Sequence, residues 1–285
     1  MNGLPGQPPV EFEWLRVGHC RQIERLAQPG GRWMTVEFPA YCGLLRHSRE
    51  GVLLFDTGYG GHYLRASRRW PYRLQASLLP VHLPAGEGLL EQLHHRGIAA
   101  EDVGRVVVSH FHADHVAGLR DLPRARVSAS SAGFEEARRL RGWAAARRGL
   151  LPELLPDDLH RRFDPVTRAP REVVEGLGAV RDLLGDGSLL AIPLPGHATG
   201  HLGLLLRTTA GRQVLLIGDA AWSQRGWREA RPASWLARRV EADSQLAIQT
   251  LGQIRSLAAA HPELAVLPSH CTRSAAAWRQ RGHHA

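Results

Sequence analysis

Short apolar runs recur along the whole chain, and most of them are too short to form helices. Their alternation or continuous apolar character predicts strands. These strands cover residues 10–17, 51–55, 105–108, 124–128, 189–193, 202–206, 213–217 and 264–267. Residues 33–45 predict a further strand pair, broken near Pro39. Helical spacing predicts a helix at 86–95, with Leu89, Leu90 and Leu93 on one face, and a long helix at 237–257.

This order of elements predicts the fold class. Meandering strands come first, and strands alternate with helices after them, which favours two mixed β-sheets packed face to face with helices outside. We therefore expect an α/β (α+β) fold, a four-layer αββα sandwich, as a single domain over 1–285. A disordered lead-in is expected at 1–9 and a frayed tail at 276–285. The segments 59–84 and 134–177 interrupt the rhythm and are candidate lids.

Composition and charge narrow the class of protein. Of the 285 residues 44% are hydrophobic, and no run approaches the ~20 apolar residues that span a bilayer. The formal charge is +9, and every basic side chain is Arg, with clusters at 65–73, 138–148 and 225–239. The complete lack of Lys indicates a compositional bias, so neither nucleic acid nor a membrane is predicted as a partner.

Cysteine usage indicates a reducing compartment. Cys20, Cys42 and Cys271 are too few and too irregularly spaced for a disulfide framework or a thiolate zinc cluster. Because the N-terminus has neither a basic start nor an apolar stretch, it does not read as a secretory signal. A cytoplasmic protein is therefore expected.

The segment after the strand at 105–108 carries the clearest chemistry. It places four metal-capable side chains within six residues, namely His110, His112, Asp114 and His115. Imidazole nitrogens and carboxylate oxygens bind Zn²⁺ at ~2.0–2.2 Å. This density of such residues at the end of a strand predicts a metal site.

Three further metal-capable residues, distant in the sequence, also stand at the ends of predicted strands. His197 comes after the strand at 189–193, Asp219 ends the strand at 213–217, and His270 follows the last strand. Each lies at the C-terminal end of an apolar run, so all of them are expected at one edge of the sandwich.

The pattern His-x-His-x-Asp-His, followed by a distant His, Asp and His, resembles the signature of the metallo-β-lactamase superfamily. Phe55-Asp56-Thr57-Gly58 matches a further motif, and the resemblance covers nearly the whole chain. It implies an αββα sandwich with two zinc ions. By that resemblance His110, His112 and His197 hold one ion, Asp114, His115 and His270 hold the other, and Asp219 bridges them.

The resemblance also implies a mechanism. Two zinc ions ~3.5–4 Å apart share a water and lower its pKa, which gives a bridging hydroxide that attacks a carboxylic ester, lactone or thioester. Asp114 passes a proton to the leaving oxygen, so Asp114 and Asp219 are the candidate catalytic residues. Asp56 either orients a ligand His or forms the turn before Thr57-Gly58, and His201 supports the site without ligating.

Within the superfamily, the chain is most similar to the N-acyl-homoserine lactonase-like branch. The residues that carry this similarity are Val17-Gly18-His19-Cys20, Phe38-Pro39-Ala40-Tyr41-Cys42-Gly43 and Gly218-Asp219-Ala220-Ala221. Those lactonases have a Tyr three residues after the bridging Asp, whose hydroxyl helps to polarise the substrate carbonyl. Here that position is Trp222, whose indole is larger and donates one hydrogen bond. The departure leaves open whether the substrate is a lactone, a thioester or another ester.

The expected partner is a small molecule with an apolar acyl part. Side chains of the two insertions are candidates for an apolar channel, with nearby Arg to hold a carboxylate or phosphate, and they are Trp70, Tyr72, Leu78, Leu79 and Trp143. Two alternatives stay open: a mononuclear iron persulfide dioxygenase-like oxidoreductase, and a metal-binding effector without catalysis. His270 favours two metals over one, and a homodimer is possible.

Overall fold

The computed structural model describes residues 7–282, with side chains to residue 280. The strands are β1 (Pro9–Ile23), β2 (Thr35–His47), β3 (Gly51–Phe55), β4 (Val81–His82), β5 (Val103–Val107), β6 (Arg126–Ala129), β7 (Phe163–Pro165), β8 (Arg171–Val174), β9 (Gly178–Asp182), β10 (Leu189–Pro193), β11 (Leu202–Thr208), β12 (Gln213–Gly218) and β13 (Ala265–Pro268). The helices are α1 (Glu24–Ala27), α2 (Gly61–Ala66), α3 (Tyr72–Leu78), α4 (Leu89–His94), α5 (Ala113–Val116), α6 (Ser131–Arg139), α7 (Gly142–Ala146), α8 (Leu159–Arg162), α9 (Gln224–Arg228), α10 (Ser244–Ala260) and α11 (Thr272–Gly282).

The strands form two sheets. The N-terminal sheet has the order β4-β1-β2-β3-β5-β6-β7 and is parallel from β3 to β7. The C-terminal sheet has the order β8-β9-β10-β11-β12-β13, and only β12 and β13 within it are parallel. The first two residues of β1 pair with the end of β11 and join the sheets.

Three apolar clusters separate the layers. Between the sheets, Trp14 and Phe55 of the N-terminal sheet share a cluster with Leu204 and Leu216 of the C-terminal sheet. A second cluster covers the outer face of the N-terminal sheet and includes residues of α4 and α6. The third joins the other sheet to α9 and α10. The predicted four-layer αββα sandwich is thus confirmed.

Two strands differ from the prediction. The segment predicted as a broken pair at 33–45 is one continuous strand, β2. Pro39 is tolerated there because β3 pairs with β2 only from Gly43 onward. The side of Pro39 that faces away from β1 therefore makes no hydrogen bond to a neighbouring strand, and the missing N–H costs none. β1 extends to Ile23 rather than Val17, with a register shift at Gly18, whose φ of 75° suits glycine.

The helix predicted at 237–257 is interrupted. Residues 237–240 form one 3₁₀ turn, and α10 begins only at Ser244. Asp243 caps the start of α10, because its Oδ1 accepts hydrogen bonds from the backbone N–H of Gln245 (2.9 Å) and Leu246 (3.0 Å). The helix predicted at 86–95 is also shorter, and Leu90 is 41% exposed rather than buried with Leu89 and Leu93.

The chain ends are more ordered than expected. Residues 1–6 and 283–285 lie outside the described residues. Within the predicted lead-in, the buried Gln7 side chain donates to the carbonyl of Leu205 at 3.2 Å, and Pro9 begins β1. Within the predicted tail, α11 carries Trp278, which packs edge-on against Phe12 at a ring distance of 5.4 Å. Burial against the sandwich therefore orders the described parts of both segments, residues 7–9 and 276–280.

The segment 134–177 is not a simple insertion. Its β7 pairs with β6 at one edge of the N-terminal sheet, and its β8 pairs with β9 at one edge of the other sheet. These edge strands of three and four residues are too short to show alternation in the sequence.

No helix in residues 7–282 is long and apolar enough to cross a membrane.

The break before α10 can be tested through its cap. We expect Asp243→Ala to lower the free energy of unfolding by about 1 kcal/mol, because two backbone N–H groups lose their acceptor. Urea unfolding followed by circular dichroism measures this loss. Asp243→Asn is the matched control, since it keeps an acceptor oxygen and most of the stability. An equal loss in both variants would contradict the capping role.

Candidate metal centre

The C-terminal ends of five strands meet at one edge of the sandwich. β3 and β5 run parallel in one sheet, while β10, β12 and β13 run in a common direction in the other. Backbone hydrogen bonds tie the sheets together there: Leu202 N–H donates to Ser109 O (2.8 Å), and Tyr41 N–H donates to Ser269 O (2.9 Å). The seven residues predicted as ligands come together at this edge.

The first group of side chains contains His110, His112, His197 and Asp219, whose ligand atoms all lie within 4.8 Å of one another. His112 Nδ1 is 3.1 Å from His197 Nε2, which is 3.4 Å from Asp219 Oδ2. His110 Nε2 is buried and has no hydrogen-bond partner within residues 7–280. Converging lone pairs with an unpartnered buried nitrogen fit a bound metal ion.

The second group contains Asp114, His115 and His270, again within 4.8 Å. His270 Nε2 lies 3.3 Å from Asp114 Oδ2 and 3.1 Å from Asp219 Oδ1. His115 Nε2 lies 3.3 Å from the same oxygen of Asp219. The Asp219 carboxylate therefore stands between the two groups, with one oxygen near His197 and the other near His115.

Asp56 fixes the orientation of His115. Its Oδ2 accepts from His115 Nδ1 at 2.7 Å and from Ser109 Oγ at 2.8 Å, and its Oδ1 accepts from Ser109 N–H at 2.7 Å. The residue is buried with φ at 60°, a left-handed conformation that Asp tolerates better than most residues. Of the two interpretations left open for Asp56, this contact supports the one in which it orients a ligand His.

His201 and Trp222 both hold Asp219. The Asp219 backbone N–H donates to His201 Nε2 at 3.2 Å, so His201 carries its proton on Nδ1 and donates it to Leu194 O at 2.9 Å. Both ring nitrogens are thereby engaged, which leaves His201 no lone pair for a metal. Trp222 Nε1–H donates to Asp219 Oδ2 at 3.0 Å. The indole of Trp222 is thus hydrogen-bonded to the central carboxylate, and the sequence did not predict this contact.

The two groups differ in the protonation of their imidazoles. Burial lowers the pKa of His110 and His197 well below the usual value, and that of His112 to about 4. Burial also acts on His115 and His270, but nearby carboxylates outweigh it. They raise the pKa of His115 well above its usual value and that of His270 to about 9. Burial tends to raise the pKa of Asp219. The imidazoles of His270 and His115 outweigh this effect and hold the pKa of Asp219 well below its usual range.

A cavity of about 420 Å³ opens onto both groups. Its lining includes Asp114, His197 and His270 and otherwise consists largely of apolar and aromatic side chains. Among the predicted channel residues, Leu78, Leu79 and Trp143 line it. Trp70 instead packs beside Trp143 at a ring distance of 6.1 Å, and Tyr72 is buried in the core.

Several lining residues were not predicted, and they are Phe38, Tyr59, Tyr63, Leu26 and Val240. Tyr59 directly follows the Asp-Thr-Gly turn that places Asp56, which is the only local sequence signal that pointed to it. Tyr63 lies in the segment 59–84 that was predicted as a candidate lid, whereas no sequence pattern pointed Leu26, Phe38 or Val240 to the cavity.

Comparison with known proteins identifies the family. The profile of the Metallo-beta-lactamase superfamily matches residues 35–261. The chain belongs to this superfamily. Its imidazoles and carboxylates form the kind of cluster that holds metal ions.

Individual relatives agree with the resemblance to the lactonase-like branch. N-acyl homoserine lactonase AttM of Azorhizobium caulinodans is 28% identical over 87% of this chain and 89% of its own length. The lactonase of the same name from Rhizobium radiobacter is 28% identical over 63% of this chain, and the match spans only 62% of that relative. A solved N-acyl homoserine lactone hydrolase, with N-hexanoyl-L-homoserine at its metal centre, has a TM-score of 0.73 at 17% identity and covers 95% of this chain and 97% of its own.

The role of Asp56 can be tested by an isosteric change. Asp56→Asn has one acceptor oxygen for the three donors at this position, so His115 is expected to lose its fixed orientation. We expect metal affinity to fall about 10- to 100-fold, measured by competition with a chromogenic chelator. Asp182→Asn is a control for a buried aspartate outside the site. Unchanged affinity in Asp56→Asn would contradict the orienting role.

Metal loading is expected to release protons unequally. Near pH 7 the imidazoles of the first group are neutral, whereas His115 and His270 are protonated and must each lose a proton to ligate. Affinity at the second group should therefore fall as the pH drops below about 9, where His270 gains its proton. At the first group, His112 should stay available until about pH 4.

Isothermal titration calorimetry in buffers of different ionisation enthalpy measures this release. At pH 7 the imidazoles are expected to release two protons per chain, both with the second ion, and a proton lost by a water shared between the ions adds to these. Release of none, or equal release with each ion, would contradict the assignment of protonated imidazoles to the second group.

Proposed function

We propose that this chain is a dinuclear zinc hydrolase that cleaves a carboxylic ester, lactone or thioester. The observation that carries the proposal is the position of Asp219, whose two oxygens lie 3.1–3.4 Å from imidazoles of both ligand groups. A carboxylate in this position would be shared by ions held in the two groups, so the site suits two metals better than one.

The donor set favours zinc. Five imidazoles and two carboxylates, with no thiolate among them, match the nitrogen and oxygen ligands of catalytic zinc sites. Bound zinc supplies Lewis acidity and lowers the pKa of water enough to give a nucleophile near neutral pH. A related solved structure is described as a dizinc quorum-quenching lactonase, which supports the same metal here.

The chain's own residues divide the remaining work. Asp219 is held by Trp222 and His201 and is committed to the centre. Asp114 is partly exposed and lines the cavity, so it is the carboxylate placed to carry a proton to the leaving oxygen. Burial raises the pKa of Tyr59 and Tyr63, which keeps both phenols protonated as hydrogen-bond donors in the cavity wall.

The cavity supports an apolar acyl substrate. Its wall is mainly aliphatic and aromatic, and such walls bind acyl chains by removing them from water. Trp222 donates its N–H to Asp219, so that group is not free to polarise a substrate carbonyl. The bond cleaved therefore belongs to the wider class of lactones, thioesters and other esters rather than to acyl-homoserine lactones alone.

The decisive experiment combines a substrate panel with metal analysis. Protein purified without added metal is expected to contain two zinc ions per chain and to hydrolyse at least one lactone, aryl ester or thioester. Asp219→Asn should lose at least one ion and slow hydrolysis by about 100-fold or more. Asp121→Asn, whose carboxylate contacts His62 away from the centre, is the matched control.

Three outcomes would overturn the proposal. Full activity and two ions in Asp219→Asn would remove the bridging role. One iron per chain with thiol-dependent oxygen uptake would establish the dioxygenase alternative. No turnover of any substrate by the metal-loaded protein would favour a non-catalytic effector.

A further inference from the structure

Three arginine-rich segments that are far apart in the sequence each contribute residues to the lining of the metal cavity. The cluster at 65–73 runs into α3, whose Leu74 and Leu78 line the cavity. The cluster at 138–148 contains α7, and its Trp143 and Arg147 line the cavity. The cluster at 225–239 ends beside Leu236, Ala237 and Val240, which also line it. We call these three segments the rim.

The rim carries more positive charge than the whole protein. Its segments hold 14 arginines and one acidic residue, Glu229, while the rest of the chain has 22 arginines and 26 acidic residues. The rim is therefore net +13 and the remainder net −4, which together give the formal charge of +9. The positive charge of the chain is thus concentrated in these three segments, and each of them contributes residues to the lining of the metal cavity.

Most of the rim charge is available to a partner. Four rim arginines form ion pairs with Glu135, Glu136 or Glu229. The other ten have no ion pair within residues 7–280, and they are Arg65, Arg68, Arg69, Arg73, Arg139, Arg141, Arg147, Arg228, Arg238 and Arg239.

The same rim exposes large apolar side chains. Trp70 is 66% exposed, Trp143 53% and Trp235 69%, and Leu78 is 64% exposed. The rings of Trp70 and Trp143 lie 6.1 Å apart, and Arg239 lies over the Trp235 ring at 5.1 Å. Exposed apolar side chains grouped in this way on a charged surface mark an interaction site.

The chemistry of the rim identifies an anionic lipid bilayer as its partner. Tryptophan concentrates at membrane–water interfaces, and arginine keeps its charge at the headgroups while its stem packs on apolar groups. Exposed leucines insert among acyl chains, whereas a nucleic acid offers them no apolar partner of that kind. A symmetric dimer through the rim would bring two surfaces of net +13 together, which like-charge repulsion opposes.

We propose that the rim docks the protein on anionic lipid bilayers, with the mouth of the metal cavity facing the lipid. Docking needs only the rim residues, and it does not rest on the assignment as a hydrolase. Binding is therefore measured without any substrate, and failure of one proposal leaves the other unaffected.

The test is co-sedimentation with vesicles. The full chain is mixed with vesicles of phosphatidylcholine alone, or of phosphatidylcholine with phosphatidylglycerol, at low and at high salt. Partition onto the anionic vesicles is expected to be at least about tenfold stronger, given the attraction of each arginine to an anionic surface. It should weaken at high salt, because the Debye length falls from about 10 Å at 0.1 M to about 3 Å at 1 M.

A pair of double variants shows which surface binds. Trp235→Ser with Arg239→Ser removes one exposed tryptophan and one unpaired arginine from the rim, and partition should fall about fivefold or more. Arg171→Ser with Val173→Ser makes the matched change on β8, at the far edge of the C-terminal sheet, and should have no effect. Thermal unfolding midpoints equal to that of the wild type show that both variants are folded.

Other results would overturn the proposal. Equal binding to neutral and anionic vesicles, or an equal loss in both double variants, removes the rim as the lipid surface. Stronger binding to a single-stranded oligonucleotide, which displaces the vesicles and weakens in the rim variant, assigns the rim to nucleic acid. A dimer in sedimentation velocity that the rim variant separates, without vesicle binding, assigns it to a second copy of this chain.

Discussion

The structure depends on one buried carboxylate that belongs to both halves of the molecule. Asp219 ends β12 in the C-terminal sheet, yet one of its oxygens faces His115, which follows β5 of the N-terminal sheet. A buried charge is costly unless opposite charges or donors surround it, and here they come from both sheets. The relative position of the sheets is therefore part of the site. The backbone bonds from Leu202 to Ser109 and from Tyr41 to Ser269 hold that position.

The sequence predicted the layers of the fold and the residues that meet at the edge because both follow local rules. Apolar runs of strand length mark the sheets, and metal-capable residues stand directly after those runs. Other features depend on partners from distant segments. The sequence around Trp222 gives no sign of its hydrogen bond to Asp219, and the sequence around Phe38 gives no sign that this side chain faces the cavity. The short edge strands β7 and β8 lack any periodicity, and the cap at Asp243 lies inside what reads as a continuous helical pattern.

The similarity to known lactonases and the departure from them lie in different parts of the molecule. The sandwich superimposes on two solved N-acyl homoserine lactone hydrolases or lactonases at 17% and 18% identity, which is evidence for the fold and not for the substrate. The departure lies in the wall of the cavity, where Trp222 stands in place of the tyrosine and contacts the central carboxylate. The wall of the cavity is the part that the proposed substrate would contact, while the buried edge of the sheets holds the candidate metal ligands.

Asp56 combines two demands that conflict at most positions. Its backbone adopts a left-handed conformation that costs an ordinary residue of order 1 kcal/mol, and glycine would relieve that cost. Its carboxylate accepts three hydrogen bonds that glycine would leave unmade. Substitutions at this position are therefore expected to lose either the backbone conformation or the three hydrogen bonds. Directed evolution of the protein should therefore leave Asp56 unsubstituted, while residues of the cavity wall can be substituted to accept new substrates.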